Sequence, residues 1–268
     1  TLAGRLAEGP KDLNRAHEIY DPDGHGWLRW VLGQAGGPEI LSWNALTTFY
    51  RGFPGRADQL AGEAIALARR LGPPFTLCHT LSVAGSLVRL ALADYSAALE
   101  FVDEFAALAE AEHLPFFQVA AQVHRGVITG YLDDPDTGIG MIANGLEWWR
   151  QMGVESYRRR FLADQATLEH LAGRTEKALE LLNAEAPIAA MSDERLDAVY
   201  LAVNRGAVLR AVDDATAEEA LLAAMADARA IGSPVLELSA AIELALLLND
   251  FGHSEQAMQQ PFTLLANT

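Results

Sequence analysis

Hydrophobic residues in this chain gather in long blocks rich in alanine and leucine, and short turn signals break the blocks at regular intervals. One series of breaks is "FPG" at 53–55, "ADY" at 93–95, "DDPD" at 133–136, "AGR" at 172–174, "VDD" at 212–214 and "FGH" at 251–253, about 40 residues apart. A second series falls between them: "GPP" at 72–74, "HLP" at 113–115, "MGV" at 152–154, "MSD" at 191–193 and "GSP" at 232–234. Alanine and leucine lose little rotamer freedom in a helix, and β-branched residues are sparse. No strict apolar–polar alternation is long enough to argue for a strand. The pattern predicts helix, turn, helix, turn.

Small residues keep the same register. Thr48, Ser86, Gly126, Ala166, Gly206 and Ala245 each stand shortly before a turn of the first series, in steps of 38, 40, 40, 40 and 39. Twelve residues after four of them comes another small residue: Ala98, Gly138, Ala178 and Ala257. The unit of Gly206 has Ala220 instead, two places late, and Thr48 has Leu60 flanked by Ala57 and Ala61. In a helical hairpin such places let two backbones approach closely. The spacing resembles the tetratricopeptide (TPR) pattern, lengthened from its usual period of about 34 residues. The place three residues after the small one holds Arg89, Thr129, Glu169 and Leu209, so these are degenerate repeats. One hairpin cannot bury its apolar face alone, whereas stacked hairpins can. The expected fold is therefore all-α, a right-handed α-α superhelix of five to six hairpins with a concave face. One repeat domain is expected over 1–268, with units at 38–74, 75–115, 116–154, 155–193, 194–234 and 235–268. Residues 1–37 are read as the tail of an earlier unit and a connecting loop. The opening "TLAGRLAEG" has no Met and reads as helix, so a piece of a larger protein is expected.

Half of the residues are hydrophobic and 21% are charged, the balance of a folded protein. The formal net charge of −16 makes nucleic acid and anionic lipid poor partners. Cys78 is the only cysteine, which rules out an intrachain disulfide and fits a reducing, cytoplasmic setting. The longest apolar candidate, "LSAAIELALLL" at 238–248, carries Glu243 and falls short of the roughly 18–20 residues of a membrane span. No secretory signal opens the chain.

Candidate chemistry is thin. Cys78 and His79 are adjacent on a helix and point about 100° apart, a poor nucleophile–base pair. The seven histidines form no i, i+4 pair and no metal motif. "DPDGH" at 21–25 and "DDPDTG" at 133–138 lack the ligand spacing of a calcium loop. The glycine cluster "GQAGGPE" at 33–39 lacks the lysine and strand of a phosphate loop. No catalytic residue, cofactor or metal is expected, and the chain is read as a non-enzyme. An enzyme would need residues assembled from different repeats, such as His124 with Asp164. The aromatic residues Trp27, Trp30, Trp43, Phe49, Tyr50 and Phe53 are expected to pack the first hairpins.

Two stretches stand out as partner or ligand sites. Gln118, Gln122 and Arg125 share one face of the third unit. The segment "EWWRQMGVESYRRR" at 147–160 adds Tyr157, Arg158 and Arg160. At least one of Trp148 and Trp149 should pack between the third and fourth units. Arginines are unfavourable at a helix N-terminus, so pairing with Glu155, Asp193 or Asp197 is expected.

Residues 20–77 carry a more specific resemblance, through Tyr20-Asp21-Pro22 with His25, Gly33-Gln34, Phe53-Pro54, Leu67-Ala68, Leu71-Gly72 and Pro74-Phe75. This stretch resembles the C-terminal helical repeats of bacterial multidomain signalling proteins, in which class III adenylate/guanylate cyclase-like domains precede an AAA-type ATPase. Similar repeats occur in LuxR-type transcriptional regulators. "GQAGGPE" and Pro73 depart from the pattern. The resemblance implies a sensor or scaffold that binds a protein or peptide, such as another domain of its parent chain, along the concave face. The alternative is a small-molecule effector domain controlling a cyclase or a transcription regulator.

Overall fold

The computed structural model describes residues 6, 8–21, 24–27, 35–154 and 158–250. Every regular element among them is helical. In chain order these are α1 Gly9–Ile19, α2 Gly36–Tyr50 and α3 Pro54–Leu71. The rod α4 follows, made of Pro74–Thr80, a π-helical segment Leu81–Leu87 and a last turn Val88–Ala91. Then come α5 Tyr95–Ala111, α6 Pro115–Leu132, α7 Pro135–Gln151, α8 Arg158–Leu171, α9 Thr175–Ala190, α10 Arg195–Leu209, α11 Asp214–Ile231 and α12 Pro234–Asp250.

The turn signals act through caps. Pro54, Pro74, Pro115 and Pro135 occupy first helical positions, where the missing N–H costs nothing. Asp94, Asp134 and Asp213 are N-caps whose carboxylates accept from Ala97 N, Asp136 N and Thr216 N. Gly72 and Gly232 close α3 and α11 in the left-handed conformation, with φ of 87° and 76°.

The small-residue register is set by the second helix of each hairpin, four residues beyond its N-cap. Ala57, Ala98, Ala178 and Ala217 hold that place at 0% exposure, and Gly138 is buried there. In the fifth hairpin the seat belongs to Ala217. Ala220, chosen by counting from Gly206, is only half-buried, because that turn is one residue shorter. Gly138 shows why the place must be small. A Cβ there would lie 2.5 Å from the Gly126 carbonyl oxygen and 2.5 Å from the Gly130 Cα.

The chain forms two compact units. Among the described residues, the first holds those of Glu8–Phe49 and Phe53–Gly153; the second holds Tyr50–Gly52 and those from Val154 to 250, with Leu6. In the first unit, Ser86 sits in the π-helical segment and shares a 2.8 Å hydrogen bond with Nδ1 of the buried His124, whose ring meets Phe105 edge-on at 5.8 Å. Trp149 is 1% exposed and stacks on Phe116 at 5.8 Å, inside the α6–α7 hairpin. In the second unit α8, α10 and α12 are the first helices of successive hairpins, and they pack on one another in that order. The second helices α9 and α11 both pack on α10.

Candidate functional site

The second unit carries a buried polar cluster on its first helices. Arg160 and Asp164 on α8 face Asp197 and Tyr200 on α10, with Tyr50 against them. Arg160, Asp164 and Asp197 are 6%, 4% and 3% exposed. Spacings of four and three residues put each pair on one helical face. Arg160 donates to the Tyr50 hydroxyl, and its guanidinium carbon stands 4.7 Å from the Tyr200 ring centre. The Tyr200 hydroxyl donates to Asp164 Oδ1 at 2.7 Å. One turn further along, Thr167 donates to Asn204 Oδ1 at 2.9 Å, and Asn204 returns its amide to the Tyr200 carbonyl at 2.8 Å.

The neighbouring arginines are neutralised across helices. Arg158 reaches Glu185 at 2.7 Å, and Arg159 reaches Glu185 at 3.1 Å and Glu194 at 2.5 Å. Four carboxylates (Asp164, Glu185, Glu194, Asp197) therefore answer three guanidiniums, and Asp197 is the member left short. Its Oδ2 has no hydrogen-bond partner. Burial pushes its carboxyl up to about 6, against the pull of Arg160. Asp164 is raised by the same desolvation, offset by Arg160 and the Tyr200 hydroxyl. Burial also raises the Tyr50 phenol. For Arg160 desolvation works against the charge, but Tyr50, Tyr200 and Asp164 more than compensate and keep it protonated.

Beyond this floor a cavity of about 280 Å³ opens between α10 and α12. Tyr200, Asn204, Ser239 and Glu243 form its polar lining; Val203, Leu236 and Ile242 contribute the apolar one. Glu243 pairs with Arg210 at 3.3 Å. Ile242 and Leu246, one turn apart on α12, are each 44% exposed and extend the apolar side. Such a face can recognise a ligand with one apolar and one hydrogen-bonding edge.

The residues singled out from sequence fall in different places. Gln118 donates to the Ala109 carbonyl at 3.1 Å and Gln122 to the Met141 carbonyl at 3.1 Å, tying α6 to α5 and α7. Arg125 pairs with Asp103 at 2.7 Å and keeps 37% of its side chain exposed. Arg158 is mostly covered and Arg160 is buried in the cluster. Tyr157 and Glu155 lie outside the described residues. The acids that meet the arginines are Glu185 and Glu194, with Asp197 acting on Arg160. Tyr50 belongs to the second unit's cluster, where the sequence placed it among the packing aromatics of the first hairpins. Asp164, Tyr200 and Asn204 were not singled out as binding residues, although matched polar stripes at 160/164/167 and 197/200/204 were visible. Cys78 is buried, donates to the Phe105 carbonyl at 3.7 Å and is pushed up to about 12 by desolvation. Burial lowers the neighbouring His79 to about 4. No group of three or more His, Cys, Asp or Glu among the described residues could hold a metal ion. No described helix is long and apolar enough to cross a membrane.

No family model and no curated protein matches the chain. Among solved structures, it is similar to the crystal structure of the apo form of RapI. The TM-score is 0.64 at 13% identity, over 85% of this chain and 83% of that one. At this identity the likeness shows the fold alone, an all-α helical-repeat superhelix of TPR-like hairpins.

Proposed function

We propose that this chain is a non-catalytic protein-interaction module of a cytoplasmic bacterial signalling protein, with a partner docking on the first-helix face of the second unit. The observation that carries the reading is the α10–α12 cavity, where Tyr200, Asn204, Ser239 and Glu243 stand opposite Val203, Leu236 and the exposed Ile242. Partner-binding surfaces combine an apolar anchor site with a few fixed polar groups, and here the buried Arg160–Asp164–Tyr200 network holds the polar groups still. The partner is a peptide or another domain of the parent chain. The acidic surface argues against nucleic acid or anionic membrane. A photo-crosslinking residue at Ser239 in the full-length parent tests the reading. The expected result is a discrete adduct, to another domain or a second polypeptide, that disappears with Ile242→Asp. Absence of any adduct from both Ser239 and Asn204 would overturn it.

The small-molecule reading rests on the same cavity, whose volume lies just under the roughly 300 Å³ where ligand pockets begin. Native mass spectrometry separates the two: a retained small mass, lost with Ser239→Leu, supports an effector.

A further inference from the structure

A second cleft of about 470 Å³ lies on another side of the second unit, where α9 and α11 flank α10. Its floor is one stripe of α10, Arg195, Ala198, Ala202 and Arg205, spaced three, four and three residues apart. Its walls are alanines of α9 and α11, closed on the α11 side by Asp227. Exposed Ile188, Met191 and Leu222 neighbour those alanines in sequence.

Two arginines of this stripe, Arg195 and Arg205, contrast with five others of the unit. Arg158, Arg159, Arg174, Arg210 and Arg229 all meet carboxylates. Among the described residues, Arg195 has no side-chain hydrogen bond or ion pair, and Arg205 donates only to the neutral Asn183 amide, at 2.7 Å. In a chain of net charge −16 the two are placed where no described acid of the unit pairs with them. Ten residues of helix separate them by about 15 Å along α10.

We infer that this cleft docks an acidic α-helix of a protein partner, its small side chains against the alanines and two carboxylates on Arg195 and Arg205. Apart from the Asn183 carbonyl, which gets no N–H from Pro187, the mid-helix backbone groups of α9, α10 and α11 are spent inside those helices, so an occupant must satisfy most of its own, as a helix does. Methyl-lined walls let an incoming helix approach closely. Guanidinium forks at both ends of the floor match carboxylates about three turns apart. The inference extends the protein-interaction reading to a second surface and uses no residue of the first.

The probe is a blocked, alanine-based helical peptide with two glutamates eleven residues apart, compared with its glutamine counterpart by fluorescence anisotropy on the whole chain. The glutamate peptide should bind at least about tenfold more tightly at low salt, and lose that advantage in half-molar salt. Arg195→Glu with Arg205→Glu should reverse the preference, toward a peptide carrying lysines. Ala202→Leu should fill the cleft and weaken every peptide at least tenfold. Equal binding of the glutamate and glutamine peptides, or no reversal in the charge-swapped protein, overturns the inference. Arg195 is exposed, so Arg195→Glu alone keeps the reversal testable if the double variant misfolds. Ile242→Asp should leave peptide binding unchanged, so failure here and failure of the first-helix face read separately.

Discussion

The guanidinium of Arg160 lies 4.7 Å from the ring centre of Tyr200, and the hydroxyl of that ring donates to Asp164 at 2.7 Å. A cation, an aromatic face and a carboxylate thus share one site without a direct fork between the charges. Removing the cation leaves two buried carboxylates with less to offset them. Arg160→Met should therefore destabilise the second unit by about 3 kcal/mol, the usual cost of stranding a buried charge. Hydrogen exchange of amides in 158–209 measures it. Protection equal to wild type there would show that the network contributes no stability.

Stability should respond to acid in an unusual direction. Asp197 is raised from 3.8 to about 6, so between those values the folded chain holds more protons than the unfolded one. Its contribution then improves as pH falls from 7 toward 4 and is lost as pH rises through 6. Asp164 is shifted the same way. Exposed Glu147 is held down to about 2 by hydrogen bonds from Arg150 and Gln151, and Asp134 is lowered by Thr137. Their contributions are present above the ordinary carboxylate range and fade only below it. Buried His79, held down to about 4, works against this as pH falls, so the measure is a difference: from pH 7 to pH 5 the urea midpoint of wild type should rise relative to that of Asp197→Asn, in which the His79 effect is the same. Asp197→Asn should gain on the order of 1–3 kcal/mol at pH 7, where the buried carboxylate is charged, and nothing by pH 4. A difference between the two midpoints that stays constant with pH would contradict this.

How far the sequence carried depended on whether the signal was local. Pro115, Pro135, Asp94 and Asp213 mark helix starts by chemistry that acts within one turn, so the helix–turn series could be read directly. Counting from Gly206 across a turn lands on Ala220, and turn length is the variable part. Counting from Asp213 gives Ala217. The cluster was less legible, since Tyr50 and Arg160 are 110 residues apart and nothing near Tyr50 announces an arginine partner. The charge rule at a helix start correctly demanded acids for the arginines, but the fold, not sequence proximity, chose Glu185 and Glu194.

Ala93 adopts φ 55° in the turn before Asp94, a conformation in which Cβ crowds the carbonyl. Relief of that strain is partly offset by the extra freedom glycine has when unfolded. Ala93→Gly should raise the thermal midpoint, by about 0.5 kcal/mol of added stability. A lowered midpoint would mean that the turn is not strained.

At Gly138, in the first unit, the three nearest obstacles to a Cβ are all backbone atoms. Its missing side chain would meet the Gly126 carbonyl oxygen and Gly130 Cα at 2.5 Å, and both are backbone. A flexible side chain could swing away, but backbone cannot, so α6 and α7 must separate to admit even a methyl. Gly138→Ala therefore sets helix propensity, which favours alanine by about 1 kcal/mol, against overpacking of about 1–3 kcal/mol. Overpacking should win because the obstacle is rigid. The matched test is Gly140→Ala on the same helix, where a Cβ meets nothing within 4 Å. That change should stabilise by up to about 1 kcal/mol from propensity alone. Tryptophan fluorescence follows both variants through Trp149, which is buried in this hairpin. Opposite shifts of the unfolding midpoint are expected. A stabilised Gly138→Ala would mean that α6 and α7 separate at little cost, and that the small-residue register reflects propensity and not contact.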